Sequence, residues 1–277
     1  MRNTPLIVMC APNGARLQKQ SHASVPITAA ELGHCASTLV DIGVSVLHMH
    51  VRDGMGNHSL DIDRYKQATD NVRECVGDKL IIQITTEAVG QYNKQQQMEL
   101  VRALRPEAVS LALSELCPDD AAIPEAQDFF HEITELGIWP QYILYSPEEA
   151  IRFEQLMQDG VFGQKRPFVL FVLGRYSQTL EGDPSEIDQF LKAVTPNAFT
   201  WAVCCFGKHE PEAMRLAYDR GGHARLGFEN NSTSRDGKPY KDNAELVRSE
   251  LATFQTHPAL ASATDVREMF GIPPIAC

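Results

Sequence analysis

The chain has 277 residues, 43% of them hydrophobic and 22% charged, with a formal net charge of −11. This composition suits a globular protein of one large or two small domains, and the acidic balance argues against nucleic acid or an anionic membrane as the main partner. No apolar run approaches the ~20 residues of a membrane span, and the seven cysteines, odd in number and without a CxxC pair, do not suit a secreted disulfide framework, so the expected compartment is the cytoplasm.

The first apolar run, residues 5–11, closes on the turn signal Pro12-Asn13-Gly14 and reads as a strand rather than a targeting segment. Thr28-Ala29-Ala30-Glu31 has capping-box spacing and opens a helix to about Asp41. Residues 45–53, SVLHMHVRD, have the apolar, β-branched content of a buried strand, yet they carry His48 and His50. Residues two apart on a strand share a face, so the two imidazoles project together, and such a pair is half of a typical zinc site. One buried, hydrogen-bonded histidine beside a chance neighbour is the alternative. Arg52-Asp53 either supports the site or forms a surface pair.

A loop at 53–57 leads to a helix over 62–76. Further strands are expected at 80–85, 108–113, 138–145, 167–173, 199–206 and 223–229, with helices at 93–104, 121–136, 147–158, 184–194, 210–218 and 243–254. Eight strand–helix alternations with short connections imply an α/β fold, a closed (β/α)₈ TIM barrel, forming a single domain over residues 1–277. A doubly wound open sheet is the alternative, weakened by the lack of GxGxxG after the first strand. The tail, 263–277, reads as a short helix followed by Pro273-Pro274, packed on the outside or on a neighbouring subunit.

A barrel of this kind carries its chemistry at the C-terminal ends of its strands. Asn13, Gly14 and Arg16 follow the first strand, Gln83 and Thr85 share a face of the third, and Ser110 lies on the fourth. On the eighth, period-two spacing aligns Arg225, Gly227 and Glu229. Glu229 can then cross the mouth to His48 and His50, making a His₂Glu triad with an open position, as catalytic zinc requires. Arg225 is a buried cation that needs a carboxylate from the protein or a substrate, and pairing with Glu229 is the plainer reading. His34 and His131 fall within helices and His223 opens a strand, so all three read as ordinary polar or packing residues. Lys208 and His209 are better placed, for a phosphate. Cys204-Cys205 read as packing.

The segments PLIVMCAPNGA, VPIT-x₂-E, HMHVRDGMG, LIIQITT, LRPEAVSL, FVLG, TWAVCCFG, GGHARLGFEN and DNAELV occur in order. Through them the chain resembles the β-keto acid cleavage enzymes of the 3-keto-5-aminohexanoate type across residues 5–250. The resemblance implies a zinc-dependent barrel that transfers acyl groups between a β-keto acid and acetyl-CoA, giving acetoacetate and a new acyl-CoA. It places Zn²⁺ on His48, His50 and Glu229, and the substrate carboxylate and keto group near Thr85, Ser110 and Arg225; by their position at the strand ends, Gln83 and Arg16 are expected as further substrate contacts. A homo-oligomer, commonly a tetramer, is implied as well.

The departures bear on the reaction. Glu87-Ala88 replace a Gly-Gly pair, Gln141 and Ile143 stand where the family carries acids, and Ala112 replaces an Asn. Asn230 takes the place of an acid held to work with Arg225 as the catalytic base pair, and an amide cannot accept a proton near neutral pH. Two other readings follow: a non-catalytic relative that binds a keto acid or CoA ester, and a zinc hydrolase, disfavoured because the fifth and sixth strands lack His. Arg16 stands where the family's namesake has an acid suited to a cationic amine. If Arg16 points into the mouth it disfavours a cationic tail by about 1–4 kcal/mol; facing solvent or a CoA phosphate is the alternative.

Overall fold

The computed structural model describes residues 4–164, 166–254 and 258–273. Pro274 and the residues that follow, part of the expected tail, lie outside the described residues. The chain runs β1 (Val8–Cys10), α1 (Ala29–Val40), β2 (Val46–Met49), β3 (Val51–Arg52), β4 (His58–Ser59), α2 (Ile62–Val76), β5 (Ile81–Thr85), α3 (Lys94–Leu104) and β6 (Ala108–Ala112). It continues with α4 (Leu113–Leu116), α5 (Ile123–Glu135), β7 (Trp139–Leu144), α6 (Pro147–Gln158), β8 (Phe168–Leu173), α7 (Glu186–Ala193), β9 (Thr200–Cys205), α8 (Glu210–Asp219), β10 (His223–Leu226), α9 (Asn243–Leu251) and α10 (Ala263–Phe270).

Strands β1, β2 and β5 to β10 close into a parallel barrel. Closure is direct: β10 pairs with β1 through Val8↔Ala224 and Met9↔Arg225. The fold is therefore a (β/α)₈ TIM barrel, and the open doubly wound sheet is set aside. Helix starts follow local chemistry. Thr28 caps α1 in the expected box with Glu31, and Asp61, Asn93, Ser146 and Asp242 accept from the third helical amide of α2, α3, α6 and α9.

Alternation divides each strand between two cores. Leu47, Ile82, Val109, Tyr142, Phe171 and Val203 face the helices. Val46, Ile81, Ala108, Trp139, Phe168 and Ala202 fill the lower interior of the barrel. Above them the inward positions turn polar: His48, Gln83, Thr85, Ser110, Gln141 and Arg225 are all buried. Buried polar groups need partners, so this layer marks where the chemistry sits.

Three expectations change. The strand expected over 45–53 breaks at His50, and its far half pairs with His58–Ser59 as a small antiparallel ribbon, β3–β4. The eighth strand ends at Leu226, because Gly227 at φ +128° turns the chain, so Glu229 is not on a strand. The tail helix packs not on the outside but across the N-terminal end of the barrel. There Phe270 meets Trp139 and Phe168, with ring centroids 4.7 and 5.2 Å apart, and Arg267 Nε donates to Glu107 at 2.7 Å.

Candidate active site

The site begins where β2 ends. His50 leaves the sheet, and its peptide groups are satisfied by a side chain: Asn13 Nδ2 donates to His50 O at 2.8 Å and Asn13 Oδ1 accepts from His50 N at 3.2 Å. The loop after β1 thus replaces the missing ladder partner. Arg52 holds that loop by donating to the carbonyls of Gly14 and Leu17, and donates also to Gly56 O in the turn between β3 and β4. Asp53 instead accepts from Met55 N and Asn57 N at 2.8 Å. The pair supports the site through Arg52, while Asp53 ties its own turn.

Glu229 arrives from the other side of β1, after β10. Its amide donates to Ala11 O at 3.0 Å, which ties the turn after β10 to the end of β1. Gly14, at φ +59°, lets the two loops meet: a Cβ there would lie 2.6 Å from Glu229 Cγ. His48 and Glu229 are therefore brought together by closure of the barrel, not by any shared strand face.

Three ligand atoms converge. His48 Nε2 and His50 Nε2 lie 3.2 Å apart, and each is 3.5 Å from Glu229 Oε2. A tetrahedral ion with bonds of about 2.0–2.1 Å has ligand atoms roughly 3.3 Å apart. The triangle fits such an ion. Glu229 Oε2 is buried and lacks a hydrogen-bond partner among the described residues, as expected of an oxygen reserved for a cation. His48, His50 and Glu229 could hold a metal ion.

The surroundings set the charge states. Burial drives the His48 imidazole down to about 3, against the pull of Glu229. Burial likewise lowers His58 to about 3, and the nearby His50 adds to it. Burial pushes the Glu229 carboxyl up, but Arg225, His50 and His48 outweigh it and hold it well below the usual carboxylate range. The triad at neutral pH is thus an ionised carboxylate beside a neutral His48, whose lone pair is available to a metal.

Arg225 pairs with Glu229 and also keeps nitrogens to spare. Its Nη2 lies 3.5 Å from Glu229 Oε1 and reaches Cys204 Sγ at 3.3 Å and Asn230 Oδ1 at 3.4 Å. Its Nε and Nη1 are buried without hydrogen-bond partners among the described residues, as is Ser110 Oγ. These groups are placed to receive an anion. Cys204, read as packing, is also a polar contact of Arg225.

Gln83 is engaged by the protein itself. Fully buried, it accepts from His48 Nδ1 at 2.8 Å and turns its amide nitrogen to Gln141 Oε1 at 3.4 Å. Thr85 Oγ1 accepts from the Glu87 amide at 3.0 Å. Asn230 donates to Glu210 Oε1 at 3.2 Å and to Arg225 O at 3.0 Å, so its oxygen must face Arg225. Burial, reinforced by Glu250, raises the Glu210 carboxyl well above its usual range. Lys208 and His209 lie near Glu181 and Glu212, at 3.3 and 3.6 Å.

Several groups at the site carry no motif. Arg175, after β8, and Arg16 both reach Glu87 Oε1, at 3.1 and 3.2 Å, and Arg175 lies over Phe206. Arg16 is 58% exposed, so it stands at the rim with its charge already answered by Glu87. Burial raises the Glu87 carboxyl despite His50 and Arg16 nearby. His58, which falls between the expected loop and helix, lies beside His50. A cavity of about 400 Å³ opens here, lined by Gly14, Arg16, Glu87, Arg175, Phe206 and Glu229 among others.

A family model described as beta-keto acid cleavage enzyme matches residues 5–272. The 3-keto-5-aminohexanoate cleavage enzyme of Acetoanaerobium sticklandii is 27% identical over 274 residues, spanning 96% of this chain and 98% of that one. The 3-oxoadipate:acetyl-CoA acetyltransferase of Cupriavidus necator is 22% identical over 277 residues, spanning 97% and 95%. Among solved structures, a ternary complex of ObcA with a C4-CoA adduct and oxalate aligns with a TM-score of 0.69 at 17% identity, over 90% of this chain and 67% of that one. That likeness concerns the barrel alone.

Proposed function

This chain belongs to the β-keto acid cleavage enzyme family, and from that premise we propose that it is a zinc-dependent acyltransferase acting on a β-keto acid and acetyl-CoA. The observation that carries the reading is the triangle of His48 Nε2, His50 Nε2 and Glu229 Oε2, with edges of 3.2–3.5 Å, beside an arginine with two nitrogens unpartnered among the described residues. In the reaction, the bond between C2 and C3 of the keto acid breaks. The acetyl–sulfur bond of acetyl-CoA breaks as well: the C2 carboxymethyl group joins the acetyl carbon, the C3 acyl group passes to the freed CoA sulfur, and the proton taken from C2 returns there, so the products are acetoacetate and the new acyl-CoA.

Zinc bound at the triad would supply Lewis acidity at the keto oxygen. Arg225 binds the substrate carboxylate through the nitrogens left free inside the barrel, with Ser110 Oγ as a second donor. Asn230 cannot take a proton, and its amide is oriented by Glu210 so that its oxygen braces Arg225. Removal of a C2 proton therefore falls to Glu87, the other carboxylate lining the cavity, whose pKa burial moves toward the working range of a base. Arg16, Arg175 and ionised Glu87 sum to one positive charge at the rim. A neutral or anionic tail is favoured there over a cationic one.

The test is turnover of a panel of aminated, neutral and dicarboxylic β-keto acids with acetyl-CoA by zinc-loaded protein. Equal amounts of acetoacetate and a new CoA thioester are expected, with the aminated acid poorest. Binding of keto acid without turnover would support a non-catalytic relative, and hydrolysis without CoA would support a hydrolase.

A further inference from the structure

We propose that His58 is a positioning residue that fixes the tautomer of His50 and so leaves His50 Nε2 free for the metal. The inference rests on the metal reading of the triad. His58 is carried on β4 of the small ribbon, opposite Arg52 and only 5% exposed. Its Nε2 lies 2.9 Å from the backbone oxygen of Glu87, and its Nδ1 lies 3.4 Å from Nδ1 of His50.

The protons along this line can be placed from its far end. A backbone carbonyl only accepts, so His58 Nε2 must carry its proton. A buried, neutral imidazole carries one, and His58 Nδ1 is therefore a bare acceptor. The group facing it, His50 Nδ1, must be the donor. His50 is then the Nδ1–H tautomer, with the lone pair of Nε2 turned to His48 and Glu229. His48 reaches the same state by another route, since Gln83 Oε1 accepts from its Nδ1. Partners of this kind fix ring orientation and tautomer in metal sites. Both imidazoles thus have a built acceptor behind them, one an amide oxygen and the other a second imidazole.

Two variants separate this role from packing. His58→Asn keeps an acceptor, because Asn Oδ1 falls near the position of imidazole Nδ1; His58→Leu keeps the bulk and removes it. Both lose the contact to Glu87 O. Zinc affinity, measured by competition with a chromophoric chelator, should fall about ten- to a hundredfold in His58→Leu and stay within about threefold of wild type in His58→Asn. In the metal-free protein, long-range ¹H–¹⁵N correlations should show His50 as Nδ1–H in wild type and in His58→Asn, and a population of Nε2–H in His58→Leu. An Nε2–H tautomer in wild type, unchanged affinity in His58→Leu, or equal losses in the two variants would overturn the proposal. Wild type that takes up no zinc would overturn only the metal reading, because the tautomer is read without metal and still decides the role of His58.

Discussion

At the scale of single residues, Arg225 is the most exacting position. One guanidinium nitrogen lies within 3.5 Å of Cys204, Asn230 and Glu229, while two others have no hydrogen-bond partner among the described residues. Arg225→Lys keeps the charge but cannot span these contacts and a substrate carboxylate together. We expect kcat/KM to fall by roughly 10²–10³, or about 2.7–4 kcal/mol of transition-state stabilisation, the scale of losing an oxyanion-type donor. A near wild-type value would make the residue structural only. Glu87→Gln preserves size and removes the base. Its kcat should fall by about 10²–10⁴ with zinc content unchanged, the usual contribution of a positioned general base. Full activity in that variant would send the proton to another group.

Among elements, the loops after β1 and β10 make the site by touching each other. Gly14→Ala adds a methyl where 2.6 Å separates it from Glu229 Cγ, at a backbone angle that L residues rarely adopt. We expect loss of about 1–3 kcal/mol of stability, measured by denaturant unfolding, together with weaker metal binding because Glu229 is displaced. Unchanged metal affinity would show that the loops yield independently. Glycine spacing here was legible only as a turn, since nothing in PNGA announces a partner over 200 residues away. The barrel itself was legible because eight β-rich runs alternate with capped helical segments. So were His48 and His50, because polar rings inside an apolar run stand out. Glu229 was reached by an alignment along a strand that actually stops at Leu226; the residue was legible, the geometry was not. The β3–β4 ribbon, with two residues per strand, is too short for periodicity to register, leaving His58 on it without a legible element or role. Glu87 and Arg175 sit in connections, where position depends on packing rather than pattern.

For the whole molecule, the barrel has two differently finished ends. The N-terminal end is closed by α10 through Phe270 and Arg267, while the C-terminal end keeps the polar layer. Behind that layer, α9 buries Glu250, which accepts from the Tyr240 hydroxyl at 2.9 Å. Burial pushes its carboxyl from 4.5 up to about 7, against the opposing effect of Tyr240 and Arg215. Between these values the folded chain keeps a proton that the unfolded chain has released. Its stabilising contribution is complete below pH 4.5 and is lost as pH rises through 7. At one pKa unit per 1.36 kcal/mol the loss is at most about 3 kcal/mol. Glu250→Gln should therefore raise the thermal midpoint relative to wild type more at pH 8 than at pH 5. A parallel change at both would mean that Glu250 does not titrate in this range.

The metal reading of the barrel mouth stands on three ligand atoms that no single element brings together. Anomalous diffraction at the zinc absorption edge, from crystals of the wild-type protein grown with zinc, reads them directly. The predicted result is one peak per chain, about 2.0–2.1 Å from His48 Nε2, His50 Nε2 and Glu229 Oε2. A peak held by other residues, or none at the mouth of the barrel, would contradict it.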